Sequence, residues 1–347
     1  MAKDKKIIPI MLVFFLVILI LGGLLGMKYY NYIFKPNIKL DKSKEFLYIP
    51  TGSDFEDVCR ILKENNFVDD INSFRFVAEK KKYINSVKAG RYELYDGMSN
   101  NELVNLLRSG KQTPVNLSFI SLRSFELLAG KLALYIEADS AVIAEYLNNP
   151  QTAEKYGFNL QTFMAMFIPN TYQVYWTITP EKLIERLYEE YQKFWNDERK
   201  RKASKIGFTP VEVSVLASIV EAETQKNEEK ARVAGVYINR LNKGMLLQAD
   251  PTVIFAVGDF SIRRVLNRHL EIDSPYNTYK YPGLPPGPIN IPSISSIDAV
   301  LNYEKHNYLY FCAKADFSGY HEFAVTLAQH EINAKKYRDA LRKAGIR

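Results

Sequence analysis

The chain of 347 residues carries a net charge of +7, two cysteines and four histidines in an otherwise ordinary globular composition. Two distant thiols, Cys59 and Cys312, exclude a disulfide framework and read as small buried hydrophobes. His269, His306, His321 and His330 fit no zinc spacing and read as structural or peripheral, so no metal or other cofactor is expected.

Met1 to Lys6 is basic, and Ile7 to Met27 carries no charge, a run long enough to cross a bilayer. A basic flank stays in the cytoplasm. The expected organisation is therefore a cytoplasmic 1–6, a single-pass anchor at 7–27, and an outward-facing remainder. Tyr29, Tyr30 and Tyr32 read as an interfacial belt. A cleaved signal peptide is the competing reading, but the run is long for one and no small-x-small site follows it. An outward-facing domain has little use for nucleic acid, so the basic balance suits an anionic polymer or a membrane surface.

Residues 28–44 read as a polar linker. Phe46 to Ile49 reads as a strand, Ser53 as the cap of a helix to Glu64, and Ile71 to Lys82 as a second helix. Gly90 to Tyr95 is an expected strand, Ser99 caps a helix that Gly110 ends, and Val115 to Ile120 is another strand. Ser121 to Asn148 reads as helical and Phe163 to Trp176 as aromatic and irregular. Pro180 to Lys205 reads as one long charged helix. Thr209, Pro210 and Glu212 form a capping box for a helix ending in Val220-Glu221-Ala222-Glu223. A helix over 228–242 stops before Gly244, and 245–295 is rich in Pro, Gly, Asn and Tyr. Leu309–Ala313 and His321–Val325 read as paired strands before a basic terminal helix from Leu327.

The two glutamates are the chemical centre of this pattern. At about 100° per residue, Leu216, Ile219 and Val220 form an apolar arc that includes Glu223. Glu221 points to the far side, with Ser214, Ala217 and Ser218. A carboxyl on an apolar face is costly to ionise, so its pKa rises and it can hold a proton near neutral pH. Glu212 shares that face but has a capping role. The bland alternative is that both glutamates are solvated and simply end the helix. Asp250, in Gln248-Ala249-Asp250-Pro251-Thr252, reads alone as an Asx-type turn. Ser274 to Tyr279 sets two aromatic platforms beside amide and hydroxyl groups, which suits a sugar, and Gly283 to Ile289 is a stiff loop fit to wall a groove.

The order of Ala217-Ser218-Ile219-Val220-Glu221-Ala222-Glu223-Thr224, Val236-Tyr237-Ile238-Asn239-Arg240-Leu241, Gln248-Ala249-Asp250-Pro251-Thr252, Tyr276-Asn277-Thr278-Tyr279 and Gly283-Leu284-Pro285-Pro286-Gly287-Pro288 resembles the MltG (YceG-like) endolytic murein transglycosylases. Phe167 to Tyr172, Tyr308 to Phe311 and His321-Glu322-Phe323 extend the likeness. Asn170 stands where that family more usually has Asp, and Ala249 where it has Thr. The resemblance implies an α+β fold: a membrane anchor, a small LysM-like αβ module at 45–120, a helical connector at 121–160, and a mixed α/β catalytic domain at 161–347. It implies Glu223 as the catalytic acid. Asn239, Gln248, Asp250, Tyr276, Asn277 and Tyr279 are the expected substrate-positioning residues. It further implies cleavage of MurNAc–GlcNAc bonds in nascent glycan strands to 1,6-anhydro ends, at the inner (plasma) membrane beside peptidoglycan synthases. A muramidase-type hydrolase using Asp250, and a non-catalytic glycan-binding scaffold, are the alternatives.

Overall fold

The computed structural model describes residues 4–346, with side chains from Met11 onward. Residues 1–3, the start of the basic flank, lie outside the described residues. The chain divides into two units, one running to Val115 and taking in Gln173–Ile178, the other made of Asn116–Tyr172 and Thr179 onward.

In the first unit α1 (Asp4–Phe34) exposes the apolar stretch from Met11, which is long and apolar enough to cross a membrane. Strand β1 (Lys44–Ile49), helices α2 (Phe55–Glu64) and α3 (Ile71–Lys80), strand β2 (Gly90–Tyr95) and helix α4 (Asn100–Ser109) follow. The two strands are antiparallel, from Lys44 opposite Tyr95 to Ile49 opposite Gly90. Leu47 and Ile49 face Tyr92 and Gly90 on one buried side, so the period of two sends these side chains into the core. Val58, Leu62, Phe74, Leu103 and Leu107 from the helices complete that core. The cap of α2 is Asp54 rather than Ser53, because Asp54 and Asp57 satisfy each other's backbone N–H.

Residues 28–44 are more ordered than a linker. Helix α1 continues through Phe34, and Tyr29 and Tyr32 pack on Phe76 with ring centroids at 5.2 and 5.7 Å. The buried Asn37 amide donates to Asp70 O and to Asn100 Oδ1 at 3.0 and 2.7 Å, and accepts the Asp70 N–H. A buried amide needs such partners, and here they tie the segment after the anchor to the unit.

Strand β3 (Val115–Ser118) pairs with β4 (Thr171–Val174). Between them lie α5 (Phe125–Ala133), α6 (Ser140–Leu147), α7 (Pro150–Lys155) and a 3₁₀ turn at Phe163–Met166. The expected single helix over 180–205 is two, α8 (Pro180–Phe194) and α9 (Asp197–Lys205). Trp195, almost fully buried, turns inward at the break and Asn196 caps the new helix. Helix α10 (Pro210–Glu223) carries the expected capping box of Thr209 and Glu212. It is the axis of the second core, packed against α11 (Asn227–Asn242), α12 (Asp250–Val257) and α14 (Ile294–Leu301), with the short α13 (Asn267–Leu270) nearby in sequence. Strands β5 (Tyr310–Ala313) and β6 (His321–Ala324) are antiparallel, and α15 (Leu327–Lys343) follows them.

Every residue of α10 from Val213 to Val220 is buried, so the side opposite the apolar arc is not a solvent face. Its polar groups are satisfied internally: Ser218 Oγ donates to Val215 O and accepts from Ile289 N, while the Asn290 amide donates to Ser218 O. Gly235 lets α11 approach the loop before β5. A Cβ there would sit 2.4 Å from Glu304 O and 2.7 Å from His306 Nε2. Gly235→Ala is therefore expected to destabilise the protein by about 1–3 kcal/mol, read as a lowered thermal unfolding midpoint.

Candidate active site

The last turn of α10 brings Glu223 to a cavity of about 370 Å³. Tyr237 and Arg240 of α11, Gln248 and Asp250 at the start of α12, Tyr279, and the β5 residues Tyr310 to Ala313 wall it. His321 and His330 line it as well, from β6 and α15.

Glu223 is half-buried, and Tyr237 Oη donates to its Oε1 at 2.6 Å. Burial raises its pKa most. The Tyr237 hydrogen bond pulls the other way, the Asp250 charge raises it further, Arg240 lowers it, and the carboxyl is pushed up to about 7. It therefore exchanges a proton near neutral pH, as a general acid must.

Glu221, two residues away, has the opposite fate. Its Oε2 accepts from Ser293 Oγ, from Ser296 Oγ and from Lys230 Nζ, the last at 3.0 Å. Burial works against its charge, but these donors outweigh burial and hold the carboxyl below the usual range. Lys230 is almost fully buried, so Glu221 is the counter-ion of an interior lysine. One helix end thus carries one carboxyl poised to hold a proton and one fixed as an anion.

The wall opposite is rigidly assembled. Arg240 Nε donates to Leu309 O at 2.7 Å, and its Nη1 donates to Leu247 O at 2.8 Å and to Gln248 Oε1 at 3.3 Å. One guanidinium thereby joins the residue before β5 to the loop before α12, in the fork geometry that suits it. Thr252 and Thr278 share a hydrogen bond of 2.8 Å, and Ala249 N donates to Thr278 Oγ1 at 3.0 Å. This lock keeps Gln248 in the left-handed region at φ 51° and brings Tyr279 Oη to Asp250 Oδ1 at 2.6 Å.

Of the residues singled out from the sequence, Glu223, Gln248, Asp250 and Tyr279 meet on this cavity. Three do not line it. The Asn239 amide donates to His306 O and Tyr308 O. Buried Asn277 donates to Leu270 O and Ile272 O and accepts from Tyr279 N. Tyr276 packs on Phe255 with ring centroids 4.7 Å apart. Tyr237 and Arg240, to which the sequence assigns no role, line the cavity as well. His321 and His330 were expected to be structural or peripheral, yet both line the cavity. For Tyr237 no local signal exists, since a core tyrosine and one whose hydroxyl meets a carboxyl on another helix have the same helical spacing. The signal for His321 was its place in the His321-Glu322-Phe323 motif. Cys312 is half-buried and also borders the cavity, so it is more than a core filler.

Tyr237→Phe removes the hydroxyl that favours ionised Glu223. The acid then keeps its proton to higher pH, so the alkaline limb of a pH–rate profile is expected to move up by roughly half a unit to one unit. An unmoved limb contradicts the assignment.

The YceG-like family model matches residues 47–336. An endolytic murein transglycosylase of Bacillus subtilis (strain 168) is 32% identical over 337 residues, covering 92% of this chain and 91% of the relative. An endolytic murein transglycosylase of Streptococcus pneumoniae serotype 2 is 30% identical over 93% of this chain, which spans 64% of that relative's length. The 2.6 Å crystal structure of a yceG-like protein from Listeria monocytogenes superposes with a TM-score of 0.59 at 28% identity, covering 84% of this chain and 99% of that one. With a family match over most of its length and relatives at this identity, the chain belongs to the YceG-like family.

Proposed function

We propose that this protein is an endolytic murein transglycosylase in which Glu223 carries the chemistry. The observation that supports this most is a half-buried carboxyl on a cavity, pushed up to about 7 and fixed at one oxygen by Tyr237. With Oε1 engaged, Oε2, which has no hydrogen-bond partner among the described residues, is the atom that serves the substrate.

Protonated Glu223 donates to the glycosidic oxygen between N-acetylmuramic acid and N-acetylglucosamine. The C1–O bond breaks as positive charge develops at C1. The muramyl 6-hydroxyl closes onto C1, and its proton passes to the Glu223 carboxylate, which restores the acid. A 1,6-anhydro end forms and water is not consumed. Gln248, Asp250 and Tyr279 position the strand in the cavity, while Asn239, Tyr276 and Asn277 act through the scaffold that shapes it.

Helix α1 is the single-pass anchor in the plasma membrane, with the remainder outside the cytoplasm. The strand–helix–helix–strand order of β1, α2, α3 and β2 supports a LysM-like module that contacts glycan. The catalytic unit then meets nascent strands at the membrane, beside the synthases that make them.

Asp250 lines the same cavity, which keeps hydrolysis as the one competing chemistry. A retaining or inverting hydrolase uses two carboxyls across the bond and leaves a reducing end. Mass analysis of glycan strands digested by the full chain separates the two. Anhydro ends are expected; reducing ends alone contradict the reading.

A further inference from the structure

The geometry points to His321 as a substrate-contacting residue of the cavity, its Nε2 accepting a hydrogen bond from a sugar hydroxyl or acetamido N–H, with Glu229 as its positioning residue. This rests on the proposed action on glycan. Glu229, in the first turn of α11, is almost fully buried, and both its oxygens are spent on one residue. Oε1 accepts the His321 backbone N–H at 3.0 Å, and Oε2 meets His321 Nδ1 at 2.9 Å. An ionised carboxylate is acceptor-only, so Nδ1 carries the hydrogen. The ring is thereby fixed in orientation and tautomer, and the Phe311 ring stands edge-on against it at 5.3 Å.

What remains is Nε2, which in the neutral ring is an acceptor and has no hydrogen-bond partner among the described residues, on a ring that borders the Glu223 cavity. His306, by contrast, is wholly committed to the scaffold. Its Nε2 meets Arg232 O at 2.9 Å, and its Nδ1 accepts from Tyr308 N at 3.1 Å. A histidine serving only to dock β6 on α11 needs no free nitrogen at the cavity, and the bond from its backbone N–H already makes that connection. An acceptor held in this manner selects for a donor. Amino-sugar polymers offer hydroxyls and acetamido N–H groups at every residue.

The test measures binding of soluble, uncross-linked glycan strands to the full chain carrying Glu223→Gln, which binds without cleaving. Adding His321→Ala is expected to weaken binding roughly three- to tenfold, the size of one hydrogen bond. His321→Gln supplies a carbonyl oxygen in place of Nε2 and is expected to recover part of that loss. Glu229→Gln is expected to weaken binding without touching the strand. Its amide oxygen can still accept the backbone N–H, but its NH2 then donates to Nδ1 and moves the ring hydrogen to Nε2. Imidazole ¹⁵N shifts report that tautomer change directly. Equal binding by all variants overturns the proposal, as does a His321→Gln variant no better than His321→Ala. A parent that binds no glycan at all overturns the functional reading along with it. Normal parent binding with unaffected variants overturns this inference alone.

Discussion

Glu223→Gln is expected to abolish release of anhydro-ended glycan and, at the same time, to make the protein harder to unfold at neutral pH. The first effect follows from losing the proton donor and acceptor, worth about 10²- to 10⁴-fold in rate for a positioned acid–base group. The second follows from the raised pKa. In the unfolded chain this carboxyl titrates at an ordinary 4.5, and in the folded chain at about 7. Below pH 4.5 both states hold the proton and the group is neutral toward stability. As pH rises from 4.5 to 7 the unfolded state ionises first, so folding is progressively disfavoured, by about 3 kcal/mol above pH 7. Gln carries no such cost and still accepts from Tyr237. The unfolding midpoint of the variant should therefore exceed that of the wild type at pH 8, and the gap should close at pH 4. A variant less stable than wild type at pH 8 contradicts this account.

Glu221→Ala should do the reverse. Its removal strands Lys230, whose side chain is only 5% exposed, without its counter-ion. An uncompensated buried charge costs about 3–5 kcal/mol. The hydroxyls of Ser293 and Ser296, which donate to Glu221, lose their acceptor as well. Much of the variant is expected to be unfolded or degraded, with a thermal midpoint well below wild type. The double variant Glu221→Ala with Lys230→Met should recover a large part of that loss. If Glu221→Ala alone unfolds like wild type, the buried pair is not structural. The wild-type pair also makes a pH statement. Its carboxyl is held below 4.5, so its stabilisation is present above that pH and is lost as pH falls through the folded value.

Much of this was legible in the chain because the signals are local. The Thr209–Glu212 capping box fixes where α10 begins, and with it the register that separates Glu221 from Glu223. Gly110, at φ 70°, ends α4 where a left-handed residue was required. The alternation in β1 and β2 sets one buried face. Other features depend on partners far along the chain. Nothing in the charged run 180–205 distinguishes Trp195 as a buried residue that breaks it. The helix α12 hid in a Pro- and Gly-rich stretch because Pro251 in a first turn lacks only an N–H that has no helical partner there. The amphipathic wheel sets Glu223 on the apolar arc of α10 and Glu221 on the opposite side. That side is buried too, and what separates the two glutamates is their partners, Tyr237 for one and Lys230 with two serines for the other. Those partners lie between 9 and 75 residues in sequence from the glutamates they meet, all of them outside α10 and so beyond the reach of its periodicity.

The account depends on Glu223 keeping its proton near neutral pH, and the carboxyl can be watched directly. Side-chain ¹³C NMR of glutamate-labelled protein, assigned by loss of one resonance in Glu223→Gln, follows its titration. A midpoint near 7, moving upward in Tyr237→Phe, is the expected result. A Glu223 resonance that titrates at the ordinary 4.5 and ignores Tyr237 contradicts it.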